Sequence, residues 1–246
     1  MRGMEGQLGP RARTCLVCGN ASKGSVSAQL QVCRSCEAAI PWIRNVQCAR
    51  CGRHERCPDC TRREETYFVQ NRSCVRYDER MKSWLALYKY RGKESLKRVL
   101  GNMLVHAYHL HRLALEQEAW PKPDQAYMTF VPLSEERYGE RGFNQAEQMA
   151  VEVSRLTGIP VLPLLRRTRH TAKQSFKGRA DRLDDMQGVF ELIPEAVSQL
   201  LSYTCTQRTH LYIVDDVYTT GSTLNECARV IRKSLPVQVF GLTFAR

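Results

Sequence analysis

Residues 211–233 read LYIVDDVYTTGSTLNECARVIRK, and this stretch decides the fold. Leu211, Tyr212, Ile213 and Val214 form an apolar run that ends in two acids, Asp215 and Asp216. Val217-Tyr218-Thr219-Thr220-Gly221-Ser222-Thr223 follows, and then a helical pattern. A buried parallel strand carries such acids to its C-terminal end, where α/β folds hold their ligands. Adjacent carboxylates can accept hydrogen bonds from the vicinal hydroxyls of a ribose, directly or with a hydrated Mg²⁺ close by. The hydroxyls and amides of Thr219, Thr220, Gly221, Ser222 and Thr223 open a helix, and a helix N-terminus favours a phosphate. Gly221 permits close backbone approach. One half of the stretch suits a sugar diol, the other its 5′-phosphate. No GxxxxGK[ST] occurs, which excludes a Walker loop.

Outward from this stretch, residues 75–246 read as one α/β domain. Met81, Trp84, Leu85 and Tyr88 fall at helical spacing, continued by Leu96, Val99, Leu100, Met103 and Leu104. AYMTFVP is a short strand ended by Pro132. NQAEQMAVEVSRLTG is an amphipathic helix through Met149, Val153 and Leu156, with Gly158 as its C-cap. IPVLPLL, GVFEL, LYIVDD and VQVFGLTFA read as further strands. Strands alternating with helices predict a mostly parallel sheet with flanking helices.

Composition changes sharply upstream. Nine of the 11 cysteines precede residue 75, and residues 15–62 hold four CxxC pairs: Cys15/Cys18, Cys33/Cys36, Cys48/Cys51 and Cys57/Cys60. Zinc takes four ligands in a tetrahedron, so two knuckles satisfy one ion. The simplest pairing is two four-cysteine sites in sequence order, with a crossed pairing also open. Gly19 and Gly52 follow the second cysteine of their knuckles, where the chain must turn back tightly. A segment this small and polar needs the metal in order to fold. His54 reads as a surface residue, and Cys74, Cys205 and Cys227 as structural. Residues 1–14 form a tail without the apolar core of a secretory signal, and no run is long enough to span a bilayer. A cytoplasmic protein without membrane insertion is expected, with thiols kept for metal rather than disulfides. The net charge of +12 favours polyanionic partners.

The pattern at 211–223 resembles the PRPP (5-phosphoribosyl-1-pyrophosphate) motif of type I phosphoribosyltransferases. In that fold a second loop handles pyrophosphate, and TFVPLSEERYGERGFNQAE occupies its place, with Arg137, Arg141, Gly139 and Gly142 as contacts. RRTRHTAKQSFKGRADR, residues 166–182, holds seven Lys or Arg. The resemblance makes it a flexible loop that closes over the ligand, through Arg169, Lys173, Lys177 and Arg179; the same charges would also grip a nucleic-acid backbone.

LYKYRGKESL, VPLSEERYGERGFNQAEQMA, RTRHTAKQSFKGRADR and LYIVDDVYTTGSTLNECARVIR, behind four CxxC pairs, together resemble the ComF family of ComFC-type late-competence proteins. That likeness implies a double zinc ribbon joined to a phosphoribosyltransferase-like domain that binds PRPP with Mg²⁺. It also implies a role in natural transformation, on single-stranded DNA and beside a helicase-like partner. Lys89, Tyr90, Arg91 and Lys93 are the residues expected to meet DNA, as cations and a ring suited to stacking; Trp84 and Tyr88 are spaced as core. No segment supplies a hood for an acceptor, and no residue stands out as a catalytic base. Ligand binding is therefore the leading reading, with an active phosphoribosyltransferase on a small acceptor as the alternative.

Overall fold

The computed structural model describes residues 13–22, 26–61, 65–90, 93–168, 188–204 and 208–246. The chain begins with a short antiparallel pair, β1 (Arg13–Thr14) and β2 (Ala21–Ser22), then two short helices, α1 (Arg34–Ala38) and α2 (Pro58–Thr61). Next come β3 (Asn71–Val75), α3 (Glu79–Tyr90), α4 (Leu96–Gln117), β4 (Gln125–Phe130), α5 (Glu135–Arg141) and α6 (Gln145–Thr157). The chain continues with β5 (Leu165–Arg167), β6 (Phe190–Leu192), α7 (Pro194–Thr204), β7 (Thr209–Val217), α8 (Ser222–Ser234) and β8 (Gln238–Ala245). Among the described residues no helix is long and apolar enough to cross a membrane.

Four strands form the central sheet in the order β3-β8-β7-β4, and every neighbouring pair is parallel. The mostly parallel sheet with flanking helices expected from the sequence is present. β7 lies in the middle because its 211–214 run is apolar on both faces, as a strand covered on both sides requires. Strand alternation sends Tyr212 and Val214 to one side, where they join Met81, Trp84, Leu85 and Tyr88 of α3 with α4 and α6. Leu211 and Ile213 face the other side and pack with Leu224, Cys227 and Ile231 of α8. Each fully buried large side chain contributes about 1.5–3 kcal/mol. Trp84 and Tyr88 are core, as their spacing predicts. Gly158 caps α6 in the left-handed conformation, but Leu156 on that helix is exposed rather than on the apolar face.

Two expectations are corrected. IPVLPLL is not a strand of the sheet, since Pro160 and Pro163 lack the donors a ladder needs. Only Val161 bridges to Met128, while β5 starts after the second proline and pairs antiparallel with β6 outside the central sheet. Conversely, NRSCV is the sheet's edge strand β3, so the sheet reaches back past residue 75. Its polar side chains hide it from hydropathy, yet all are buried and satisfied. Asn71 donates to the Cys51 carbonyl (3.1 Å) and to Thr243 Oγ1 (3.2 Å), and Arg72 donates to the Ala49 carbonyl (2.7 Å).

Those bonds dock the cysteine-rich segment on the sheet. The Ile43 amide donates to Cys74 (2.9 Å) and the Asn71 amide to Arg50 (2.7 Å). Cys15, Val17, Leu30, Val32 and Ile40 enter the core shared with α3 and α4, while Cys51, Cys57 and Phe68 enter the core under α8.

Two buried histidines make the fold acid-labile. Burial, then Arg72, lowers His111 to about 3; burial, then Arg208, lowers His210 to about 4. Both folded values lie below the unfolded 6.5, so the unfolded chain takes up protons that the folded protein refuses. Stability is therefore lost as pH falls from 6.5 toward 4, by about 1.4 kcal/mol per pH unit for each ring at the steepest. Asp215, whose folded value is raised, opposes this with a single proton. We expect His210→Phe, which keeps a ring against Phe240, to remove most of the fall in Tm between pH 6.5 and 5, because proton uptake at His111 is then offset by that at Asp215, measured by thermal melts. A variant that falls as steeply as the natural protein would refute the assignment.

Candidate functional site

The end of β7 carries the acids. Alternation along the strand separates them: Asp216 shares the face of α3, and Asp215 that of α8. The Asp216 amide donates to Asp215 Oδ1 (2.8 Å), which fixes the first carboxylate against the backbone. Beyond them Tyr218 is buried and its amide donates to the Ala245 carbonyl (2.9 Å). Gly221 begins α8 at φ 78°, and a Cβ there would stand 2.1 Å from the Tyr218 hydroxyl, so only glycine fits. Thr220 Oγ1 and Ser222 Oγ lie 2.8 Å apart at the helix start, and no acid occupies the first turn. The loop Thr219–Thr223 is thus an open helix N-terminus flanked by hydroxyls, with the chemistry to accept a phosphate.

Cations converge on the acids from three other elements. Lys89, in the last turn of α3, has a largely buried side chain whose ammonium pairs with Asp216 Oδ2. Burial and then Arg141 lower Lys89 to about 8, with Asp215 pulling the other way. Burial raises Asp215 to about 7, against the pull of Lys89 and Arg167. Arg137 acts on both Lys89 and Arg167. Arg141 donates to Gln145 Oε1 (2.9 Å) and to the Tyr90 hydroxyl (2.9 Å), and its guanidinium lies 5.0 Å from the centre of that exposed ring.

Several sequence-predicted residues land in unexpected settings. The segment expected as a pyrophosphate loop is the short helix α5, because Ser134 caps it and Glu135 and Glu136 favour its first turn. Gly139 lies inside that helix, and Gly142 ends it at φ 74°. Arg137 and Arg141 nonetheless reach the acids' neighbourhood. Lys89, read as a contact for DNA, sits on Asp216 instead, and Lys93 donates to the Val17 carbonyl (3.2 Å) beside the first knuckle. Of that group Tyr90 is exposed, and Arg91 lies outside the described residues, as do Arg169, Lys173, Lys177 and Arg179. Arg167 was not singled out in the sequence; its only signal was membership of the basic run.

The cysteines gather as Cys15, Cys18, Cys33 and Cys36, and as Cys48, Cys51, Cys57 and Cys60, with the sulfurs of each set within 4.8 Å of one another. This is the sequence-order pairing, and His54 belongs to neither set. Four thiolates about 2.3 Å from zinc stand roughly 3.8 Å apart. Cys18 and Cys33 are 3.8 Å apart, and Cys51 and Cys57 3.5 Å, so both sets fit a tetrahedral zinc ion. Gly19 and Gly52 close the two knuckles at φ 77° and 75°, their amides donating to Cys15 (3.0 Å) and Cys48 (2.9 Å). Burial raises the Cys36, Cys51 and Cys60 thiols. It would raise Cys15 and Cys57 too, but backbone N–H donors lower Cys15 to about 6, and the Cys60 amide with the Cys51 and Cys60 thiols and Arg246 lowers Cys57 to about 6, toward the thiolate a metal needs. Among the described cysteines all are free thiols.

One residue links the second cluster to the phosphate loop. The Arg246 guanidinium donates to the carbonyls of Thr219 (2.9 Å) and Tyr218 (3.3 Å), lies 3.6 Å from Cys57 Sγ and stacks 4.4 Å from the Tyr218 ring centre. A cleft of about 600 Å³ opens there, lined by Arg53, His54, Arg76, Tyr77, Thr219, Thr220 and Arg246 among others.

No protein-family model matches the chain. It is 30% identical over 227 residues to competence protein ComFC of Bacillus subtilis, covering 88% of this chain and 84% of that protein. It is 27% identical over 233 residues to competence protein ComFC of Streptococcus pneumoniae, covering 89% and 94%. The DNA utilization protein YhgH of Escherichia coli matches at 32% over 142 residues, 57% of this chain and 54% of its own. Likeness of this extent places the chain in the ComF family.

Proposed function

We propose that the protein serves DNA uptake and binds PRPP, or a related ribose 5-phosphate ligand, at the end of β7. The observation that carries this reading is the placement of two carboxylates beside an acid-free, glycine-started helix N-terminus, with Lys89 paired to Asp216 and Arg167 acting on Asp215. Asp215 and Asp216 take the ribose diol, Thr219 to Thr223 the 5′-phosphate, and Arg137 and Arg141 the pyrophosphate, which brings its own Mg²⁺. Two zinc ions in the cysteine clusters act as scaffold. The names of the relatives, competence protein and DNA utilization protein, support the DNA side.

Single-stranded DNA is the polymer the surface chemistry favours. The chain carries +12, the exposed Tyr90 ring lies against a guanidinium, and the cleft at Thr219 offers Arg53, Arg76 and the half-exposed Tyr77. The test is a titration of the zinc-loaded protein with labelled oligo-dT over a salt series, beside calorimetry with PRPP and Mg²⁺. We expect DNA affinity to fall by about 0.7 log units per log unit of salt for each phosphate contacted. We also expect Tyr90→Ala to weaken it several-fold. Absence of both DNA and PRPP binding would sink the proposal. DNA binding without PRPP binding would leave a nucleic-acid protein on a borrowed fold.

A further inference from the structure

The acid pair does not have the surroundings of a resident Mg²⁺ site. A hydrated Mg²⁺ wants carboxylate oxygens free to face it and few competing cations. Here the ammonium of Lys89 already occupies Asp216 Oδ2, and Asp215 Oδ1 is engaged by the Asp216 amide. Arg167 acts on Asp215 from β5, and Arg137 and Arg141 act on Lys89 from α5. The acid pair thus already has one ammonium in contact and one guanidinium acting on it. A divalent ion placed on the acids would have to expel the ammonium and then meet the repulsion of Arg167 in a partly buried site.

The ammonium supplies what such an ion would. It neutralises Asp216, so that two neighbouring carboxylates coexist at the strand end. It extends from the last turn of a helix whose Met81, Trp84, Leu85 and Tyr88 are locked in the core, which fixes the backbone from which the side chain reaches Asp216. A lysine offers three donors. One or more can turn to a sugar hydroxyl while the carboxylate beside it accepts from another.

Building on the ribose 5-phosphate reading above, we propose that Lys89 takes the place of a divalent cation at the acid pair, so that the sugar-phosphate half of the ligand binds without metal. Any Mg²⁺ then belongs to the pyrophosphate half of PRPP and leaves with it.

The probe that separates the two halves is ribose 5-phosphate, which lacks the pyrophosphate. Calorimetric titrations of the zinc-loaded full chain are run in resin-treated buffer without divalent cations and again with millimolar MgCl₂. No soluble chelator is used, and zinc content is checked after each run. The wild-type affinities are expected to agree within about threefold, a difference of less than 1 kcal/mol. K89M is expected to lose about tenfold or more in the metal-free buffer and to regain part of that with MgCl₂, whereas K89R keeps metal-free binding. Wild-type binding that appears only with MgCl₂ overturns the inference and leaves the ribose 5-phosphate reading standing; that comparison needs no variant to fold. Unchanged metal-free binding by a folded K89M overturns it as well. Absence of wild-type binding under either condition removes the ribose 5-phosphate reading itself, and the inference with it.

Discussion

Replacing both acids, Asp215→Ala with Asp216→Ala, is expected to weaken PRPP binding by about a hundredfold or more while the protein stays folded. Each charge-assisted hydrogen bond from a sugar hydroxyl contributes about 1.5–3 kcal/mol, and two such bonds correspond to roughly two to four powers of ten. Folding survives because the two carboxylates act on stability in opposite senses. Asp215 is raised to about 7, so its ionised form is disfavoured in the folded state and its removal relieves a cost near neutral pH. Asp216 balances Lys89, and its loss leaves a desolvated ammonium near Arg141. That cost is limited because Lys89 lies at the end of α3, where its side chain can turn toward solvent. Calorimetry with PRPP and Mg²⁺, beside circular dichroism and zinc content, separates the two effects. An affinity within threefold of the natural protein would mean that the acids are not the ligand site. Loss of helical signal would mean that they are structural.

The second large effect concerns the metal. Cys51 is fully buried within the core under α8, beside Cys57 and Phe68. Zinc-finger sites contribute on the order of 10 kcal/mol to folding. We expect Cys51→Ser to release one zinc ion per chain and lower Tm by about 10 °C or more, at roughly 2–4 °C per kcal/mol for a chain of this size. Cys18 sits exposed at a corner of the other cluster, so Cys18→Ser is expected to cost less stability for the same loss of metal. Because Arg246 joins Cys57 to the carbonyls of Tyr218 and Thr219, loss of the second ion should also weaken PRPP binding more than loss of the first. Elemental analysis with thermal melts checks the stability arm, and calorimetry the coupling. Equal Tm losses from the two serine variants would contradict the difference in burial.

Much of this protein is determined locally, and for that reason is legible in its sequence. The apolar run 211–214, the acids after it and the glycine at 221 lie within one strand, one turn and one helix start, so neighbouring residues alone specify them. The CxxC knuckles are equally local, and even their pairing follows the order of the chain. Helix α3 announces its core face through Met81, Trp84, Leu85 and Tyr88 at helical spacing.

What the tertiary structure decided depends on residues far apart in the chain. NRSCV carries no hydropathic sign of an edge strand, because its polar side chains are satisfied by the cysteine-rich segment and by Thr243. The cysteine-rich module is part of the two cores rather than an appendage, since its apolar residues have too little area to bury except against α3, α4 and α8. Lys89 looks in sequence like a surface cation among tyrosines, yet burial of α3 in the core on the Tyr212 side of the sheet brings it to Asp216. A charge finds its partner through space, and only the fold determines which carboxylate lies within reach.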